Sequence, residues 1–203
     1  MIFSRLHGRL GNQMFQYAAA RALAERQCTR VVLDDRTALN KGDGTLLRVF
    51  DLPDLAEAPL PPVKHQQPLA YAAWRGLGKR PRIRREKGLG YNPDFAHWAD
   101  DSYLHGYWQS EQYFADIADT LRSAFVFRTP MSAQNADMAV RIASGPSVAL
   151  HVRRGDYVKV NTMALCDQAY YDAALAAIRL RMDADPTVYV FSDDPEWAKA
   201  NLP

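Results

Sequence analysis

The chain has 203 residues, 48% of them hydrophobic and 24% charged, and a formal net charge of +2 at pH 7. This composition is typical of a globular protein with a real core, in one large domain or two small ones, and the near-neutral charge does not indicate nucleic-acid binding. Charge close to the N-terminus and the lack of any run of about 18 apolar residues predict a protein that is neither secreted through a signal peptide nor membrane-spanning.

The N-terminal stretch predicts a βαβ unit. Residues 2–6 alternate as a parallel strand does, and the glycines of Gly8-x-x-Gly11 turn the chain into a helix that has Asn12 as its N-cap and ends near Arg26. Residues 30–34 supply the next strand. A strand, a glycine loop and a helix offer backbone N–H groups to an anion or a sugar, although the spacing is not the G-x-G-x-x-G of dinucleotide sites.

Residues 36–90 are more loosely organised. Asp43-Gly44 marks a turn and residues 59–68 form a proline-rich loop. A dense basic run follows, made of Arg75, Lys79, Arg80, Arg82, Arg84, Arg85 and Lys87. This run is predicted to be a solvated loop. The alternative is a surface that steers an anionic donor, an acidic glycan or an anionic membrane leaflet.

An aromatic strand is predicted at residues 102–108, followed by a helix with Glu111 in its first turn. Apolar residues recur along that helix at helical spacing, namely Phe114, Ile117, Ala118, Leu121 and Phe125. Such a stripe is typical of a face packed on the core. Tyr107 and Trp108 can stack on a sugar ring, but packing is the commoner use of aromatic side chains.

A domain boundary is predicted at the Gly145-Pro146 break, which gives domains of residues 1–145 and 146–203. The elements predicted near and beyond it are a helix at 130–144, strands at 147–152 and 187–191, a helix around 171–182 and a helix that begins at Glu196. Both strands are short apolar runs, as in a buried parallel sheet.

Two arginines follow the strand at 147–152. Because the carboxyl ends of parallel strands meet at one edge, Arg153 and Arg154 should lie beside Ser192-Asp193-Asp194, which follows the strand at 187–191. Adjacent guanidinium groups suit a phosphate or diphosphate bound in bidentate fashion. The alternative is a surface loop whose arginines pair with nearby acids such as Asp156.

The carboxylates Asp193 and Asp194 allow two interpretations. One is a divalent metal site of the D-x-D kind. The other, which we favour, is a helix N-cap with acids at a helix start, because Pro195-Glu196 fits the first turn of a helix. The arginines make an ion unnecessary, since they can neutralise a diphosphate leaving group themselves.

Three segments resemble one family in order. Residues 150–157, with His151-x-Arg153-Arg154-x-Asp156, resemble the shared motif of fucosyltransferases that use GDP-fucose. Residues 8–18 resemble the G-G-L-G-N-Q-M-F-Q-Y-A segment of the bacterial α1,2-fucosyltransferases of glycosyltransferase family 11, with Arg9 in place of the second glycine. Residues 106–114 resemble that family's G-Y-W-Q-S-E-K-Y-F.

The resemblance implies an α/β, GT-B-like fold in which two Rossmann-like parallel-sheet units face a cleft. The second unit is expected to be incomplete, since the family continues past this point, so the chain reads as C-terminally truncated. The implied activity is that of a galactoside 2-α-L-fucosyltransferase, an inverting enzyme that transfers fucose from GDP-fucose to the 2-hydroxyl of a galactose residue in a surface glycan. The alternative is an inactive fragment that binds only GDP or glycan.

The resemblance also implies roles for particular residues. Arg153 and Arg154 are the expected catalytic residues, because they would stabilise the leaving diphosphate. The expected donor-binding residues are His151, Arg153, Arg154, Asp156, Ser192, Asp193 and Asp194, and either Asp193 or Asp194 would accept hydrogen bonds from guanine. The residues expected to position the acceptor, or to face the cleft from the first domain, are Gly11, Asn12, Gln13 and Gln16. The alternative is that Asn12, Gln13 and Gln16 are structural caps and helix-surface amides. The sequence names no catalytic base.

No cofactor and no metal are expected, and the expected partners are GDP-fucose as donor substrate and a galactose-containing acceptor glycan. Nucleic acid is not expected as a partner, the oligomeric state is left open, and the basic run is compatible with peripheral membrane association. Cys28 and Cys166 are distant in sequence and lack C-x-x-C spacing, which predicts reduced, buried thiols in a cytoplasmic protein. The expected location is therefore the cytoplasm, with the inner face of the membrane as the alternative that the basic run allows.

Overall fold

A computed structural model of the protein describes residues 1–36, 45–64, 66–77, 81–155, 157–159 and 165–202. Contacts divide the chain into unit 1, Met1–Pro130, and unit 2, Met131–Pro203. This division lies fifteen residues before the predicted boundary at 145, because the helix that precedes Gly145-Pro146 belongs to unit 2. A Gly-Pro break ends a helix as readily as it ends a domain.

Unit 1 contains a parallel sheet of four strands in the described part of the chain, ordered β2-β1-β4-β3. The strands are β1 (Ile2–Arg5), β2 (Val31–Asp34), β3 (Arg82–Arg85) and β4 (Ser102–His105). The α-helices of this unit are α1 (Leu10–Arg26), α2 (Leu46–Val49), α3 (Pro68–Leu77) and α4 (Ala118–Ala124). The predicted βαβ unit is confirmed, since β1 and β2 are parallel neighbours joined through α1.

Helix α1 is buried between two groups of core residues, and its alanines let both approach closely. Ala19, Ala20 and Ala24 pack with the aromatic cluster of Phe95, Trp98, Trp108 and Tyr113. Ala18 and Ala22 pack instead with Leu46, Phe50, Ile117 and Leu121. The predicted apolar stripe is therefore core, as expected. Trp108 is 1% exposed and belongs to the core, whereas Tyr107 is exposed.

Two elements of unit 1 differ from the prediction. The basic run contains a strand, β3, which pairs with β4 along its whole length; Lys79 and Arg80 lie outside the described residues, as does the Asp43-Gly44 turn. The helix predicted from Glu111 is instead two 3₁₀ turns, Glu111–Tyr113 and Ala115–Ile117, followed by α4. Phe114 separates the turns with φ −145° and ψ 14°, which is not helical.

Unit 2 contains a two-stranded parallel sheet in its described residues, with three helices. The elements are α5 (Ala133–Ala143), β5 (Ser147–Val152), α6 (Gln168–Met182), β6 (Thr187–Ser192) and α7 (Pro195–Asn201). Its core is small: Leu150 and Val152 of β5 pack on Tyr171 and Leu175 of α6. Full burial of such side chains contributes about 1.5–3 kcal/mol each before conformational entropy is subtracted.

Two further findings concern the surface of the protein. Cys28 and Cys166 are free thiols, as predicted, but both are exposed, so the expectation that they are buried is wrong. Among the described residues, no helix combines the length and the apolar character needed to cross a lipid bilayer.

The difference in core size predicts unequal local stability. We expect the amides of residues 188–191 in β6 to exchange with solvent much faster than those of residues 3–5 in β1, because far fewer buried side chains must separate to expose β6. Native-state hydrogen exchange measured residue by residue by NMR tests this. Equal, strong protection of both strands would contradict it.

Candidate active site

The carboxyl ends of β5 and β6 lie at the same edge of the unit 2 sheet. The register pairs His151 with Phe191 and Val152 with Ser192, so the loops after both strands leave side by side. The two arginines and the two aspartates are therefore brought together, as the sequence predicts. We call Arg153, Arg154, Asp193 and Asp194 the arginine rim.

Each arginine of the arginine rim is held by a carboxylate and an aromatic ring. Arg153 Nη1 lies 2.7 Å from Asp193 Oδ2, and its guanidinium lies 5.3 Å from the centre of the Tyr157 ring. Arg154 Nε donates to Asp194 Oδ2 over 3.2 Å, and its guanidinium lies 4.1 Å from the centre of the Trp197 ring. The pairing with acids is thus present, but its partners are Asp193 and Asp194, while Asp156 lies outside the described residues.

The carboxylate of Asp193 holds the loop that follows β5 through hydrogen bonds. Its Oδ1 accepts hydrogen bonds from the backbone N–H of Arg154, at 2.8 Å, and of Gly155, at 3.2 Å. The N–H of Arg154, then that of Gly155 and the charge of Arg153, lower the pKa of this exposed carboxyl. A Cβ on residue 155 would lie 2.6 Å from Asp193 Oδ2, so glycine is needed there for the close approach of the carboxylate.

Asp194 is the N-cap of α7, as the helix-start interpretation predicts. Its Oδ1 accepts from the backbone N–H of Trp197 over 3.2 Å, and Pro195 occupies the first turn. Ser192 Oγ in turn accepts from the backbone N–H of Asp194 over 2.9 Å. Both aspartates therefore have structural partners, and Ser192 orients one of them.

His151 lies on the face of the unit 2 sheet opposite to that of Leu150 and Val152. Those two side chains are buried against α6, whereas His151 is exposed beside Phe191, which is 51% exposed. His151 is thus accessible at the end of β5 and takes no part in the small core.

Gln13 and Gln16 of α1 are fully buried and hold backbone groups of their own unit. Gln16 Oε1 accepts from the N–H of His7, and its Nε2 donates to the carbonyl of His7, over 3.0 and 3.1 Å. Gln13 Nε2 donates to the carbonyl of Gly8, and its Oε1 accepts from the N–H of Leu46, over 3.0 and 2.8 Å. The prediction that these amides face a ligand is corrected: they position the loop before α1.

The glycine loop itself differs from the prediction in two ways. Helix α1 begins at Leu10 with Arg9 as N-cap, so Asn12 is not the cap; its Oδ1 accepts from Gln109 Nε2 over 2.7 Å. Arg9 is extended, with φ −80° and ψ 173°, so replacing the family's glycine there causes no backbone strain. Gly8 has the positive φ, 76°, and Gly11 lies in the first turn of α1 with open space beside its Cα.

A second polar site, which the sequence reasoning missed, lies at the carboxyl edge of the unit 1 sheet. A cavity of about 220 Å³ is lined there by the last residues of all four strands: Arg5, Asp34, Arg85 and His105. Part of the signal was available, because Arg5, Asp34 and His105 all lie within predicted strands. What was missing was β3 and the order of the strands. We call this cavity the strand-end pocket.

Comparisons with known proteins show what the whole chain is similar to. A family model described as glycosyl transferase family 11 matches residues 93–203. The chain is 29% identical to the alpha-1,2-colitosyltransferase of Escherichia coli over 98% of this chain and 71% of that protein. It is 30% identical to the galactoside alpha-(1,2)-fucosyltransferase 1 of Mico humeralifer over 96% of this chain, which spans only about half, 51%, of that relative.

The fold is similar to that of a solved fucosyltransferase, NodZ from Bradyrhizobium. The TM-score is 0.54 at 14% sequence identity, and the match covers 98% of this chain and 74% of that one. This likeness confirms the predicted α/β, GT-B-like fold class.

The burial of Gln16 yields a stability prediction. Gln16→Leu leaves the N–H and the carbonyl of His7 without their partners, and each buried unsatisfied group costs about 1–3 kcal/mol. We expect the free energy of unfolding of unit 1 to fall by at least about 2 kcal/mol in urea titrations followed by fluorescence of the buried Trp98 and Trp108. Gln112→Leu is the matched control, since Gln112 is exposed in the same unit. Equal midpoints for both variants would contradict the assigned role.

Proposed function

Because the chain belongs to glycosyl transferase family 11, we propose that it transfers fucose from GDP-fucose to the 2-hydroxyl of a galactose residue in a glycan, with inversion. One observation carries the proposal: two arginines, held beside aromatic rings and carboxylates, stand at the carboxyl edge of β5. Both lie within the segment matched by the family model. The named activities of the similar proteins, fucosyl and colitosyl transfer, support a 1,2-transfer reaction.

The arginine rim suits a diphosphate leaving group. As the bond between the sugar and the β-phosphate breaks, negative charge grows on the phosphate while the sugar carbon becomes oxocarbenium-like. A guanidinium carries five N–H donors, so Arg154 can keep its Nε–H bond to Asp194 and still donate to a phosphate oxygen. Arg153 would exchange Asp193 Oδ2 for the diphosphate, because both compete for the same fork.

Asp193 and Asp194 remain the candidates for accepting from guanine. Asp193 already accepts two backbone N–H groups, and Asp194 caps α7, so neither carboxylate is idle in the absence of donor. Each carboxylate has about four acceptor positions, which leaves capacity for N–H groups of a base. His151, accessible at the end of β5, is proposed to orient the donor.

A second candidate function is binding of GDP or glycan without transfer. The observation that favours it is the ion pair between Arg153 and Asp193, which occupies the position proposed for the β-phosphate. If that pair does not open, donor binding can rest on Arg154 and the aspartates, while the leaving group lacks the contact with Arg153 that transfer needs.

We also propose that the protein works at the inner face of a membrane. Leu69 and Leu77 of α3 are 85% and 91% exposed, and Arg75 of the same helix is exposed as well. Exposed leucines beside basic residues are typical of a helix that contacts an anionic membrane surface.

The function is tested by a transfer assay with purified chain. GDP-fucose, and in parallel GDP-colitose, is incubated with a β-galactoside acceptor in the presence of EDTA, and the product linkage is read by NMR. We expect α1,2-linked fucose to appear at the same rate with and without EDTA, because arginines stabilise the leaving group. Binding of GDP without product would favour the second candidate function. Loss of activity on chelation, restored by Mn²⁺ or Mg²⁺, would overturn the metal-free mechanism.

The bidentate role of Arg153 gives a sharper prediction. In Arg153→Lys the charge remains but the planar guanidinium fork is lost. We expect kcat/KM for GDP-fucose to fall about 10²-fold, which is typical for the loss of one hydrogen-bond donor that stabilises a transition state in an enzyme. Arg181→Lys is the matched control, because Arg181 is an exposed arginine of α6 in the same unit. Near-normal kinetics in Arg153→Lys would show that the fork does not bind the diphosphate.

A further inference from the structure

Among the described residues that line the strand-end pocket, cationic side chains outnumber acidic ones, and the buried acid Asp34 is already paired. Arg36 Nε and Nη2 donate to the two carboxylate oxygens of Asp34 over 2.8 and 2.7 Å, and the Tyr103 hydroxyl donates to Asp34 Oδ2 over 2.7 Å. Burial opposes ionisation of Asp34, but these bonds outweigh it and lower the pKa of the carboxyl. Asp34 therefore neutralises Arg36. Three further cationic side chains line the pocket, those of Arg5, Lys64 and Arg85.

His105 stands between two of these arginines in an arrangement that an imidazole alone cannot satisfy. Arg5 Nη1 lies 3.2 Å from His105 Nε2, and Arg85 Nη1 lies 3.1 Å from His105 Nδ1. Guanidinium nitrogens only donate, and a neutral imidazole has one acceptor nitrogen and one N–H. At most one of the two contacts is a hydrogen bond, and in the other an N–H faces an N–H.

An anion in the pocket resolves this conflict. One of its oxygens would accept from the arginine that faces the imidazole N–H, and another would accept from that N–H itself. Burial first, then the charges of Arg5 and Arg85 and the neighbouring His7, lower the pKa of His105 to about 4, so the ring is neutral at pH 7. Anionic oxygens between Arg5, Arg85 and His105 would accept hydrogen bonds from N–H groups that otherwise repel one another.

The strand-end pocket also has an aromatic lining. Tyr71 and Trp74 of α3 both line the strand-end pocket, with ring centres 5.7 Å apart and planes 37° from parallel. Aromatic faces beside a few fixed polar groups are typical of sites that bind small organic molecules. A bare inorganic anion would contact the arginines but not the rings of Tyr71 and Trp74. The lining therefore fits an anion that carries an organic ring better than an inorganic anion.

We propose that the strand-end pocket binds an acidic sugar of the acceptor glycan, with its carboxylate or phosphate between Arg5, Arg85 and His105 and its ring against Tyr71 and Trp74. The acceptor role rests on the function proposed above; the binding of an acidic sugar does not. The strand-end pocket lies wholly within unit 1, and the arginine rim lies wholly within unit 2.

The test measures binding directly, without catalysis. Isothermal titration calorimetry compares galacturonate, galactose 6-phosphate, galactose and inorganic phosphate on the full chain. The key variant is Arg85→Gln, and Arg82→Gln is its matched control, because both are exposed arginines of β3 and both changes remove one charge. We expect one of the two acidic sugars to bind, Arg85→Gln to weaken it at least tenfold and Arg82→Gln to change it less than twofold.

The outcomes separate the alternatives. Tighter binding of galacturonate or of galactose 6-phosphate identifies the anion as carboxylate or phosphate. Equal weakening of binding by Arg85→Gln and Arg82→Gln would overturn the proposal, because it would show a diffuse charge effect. Equal binding of inorganic phosphate and galactose 6-phosphate would overturn it as well. Competition by GDP would also overturn it, since the pocket would then hold the donor.

A second measurement protects the test from folding effects. In wild-type protein, NMR of the His105 ring should show its pKa rise when the acidic sugar binds, because a nearby anion stabilises the imidazolium. No rise would overturn the proposal. If the acidic sugars do not bind but the chain still transfers fucose to neutral galactosides, the proposed function stands and this proposal fails. If an acidic sugar binds but the chain transfers no fucose, only the acceptor role of the pocket is lost.

Discussion

The amide of Gln16 is the contact on which the geometry of unit 1 depends. It lies in α1, which is buried between two groups of core residues, and it fixes both backbone groups of His7 just after β1. Because a buried amide tolerates little displacement without losing a hydrogen bond, the end of β1 is fixed relative to the helix. The position of Arg5 in the strand-end pocket follows from this, as does the turn through Gly8 that begins α1.

The two units present polar side chains in the same way but secure them differently. Both place charged groups at the carboxyl ends of parallel strands, where side chains from distant parts of the sequence converge. In unit 1 an extensive aromatic and aliphatic core supports that edge. In unit 2 the core is small, and ion pairs, a helix cap and stacking of Arg154 on Trp197 hold the arginine rim. The rim is thus both the candidate catalytic group and part of what stabilises its own loop.

Local patterns predicted most of the elements, and they failed where tertiary pairing decides. The apolar runs of β5 and β6 and the turn at Asp194-Pro195 were sufficient to place the arginine rim. Strand β3 was missed because three of its four residues are arginines, and only pairing with β4 makes it a strand. The strand-end pocket was missed for the same reason: Arg5 and Arg85 meet at His105 only once the strand order is known. Gln13 and Gln16 were assigned to a ligand because a sequence does not show that a polar side chain is buried.

The arginines of β3 have a consequence for how the sheet meets other chains. Strand β3 forms one edge of the unit 1 sheet, and β2 forms the other. The β2 edge is capped by the protein's own segment at Leu55, whose neighbour Ala56 donates to the carbonyl of Val31 over 2.8 Å. The β3 edge has no such cover along its pairing with β4 in the described residues, and its exposed guanidinium groups repel an identical strand that approaches side by side. A run of charge that resembles a solvated loop in the sequence thereby disfavours edge-to-edge pairing of β3 with an identical strand.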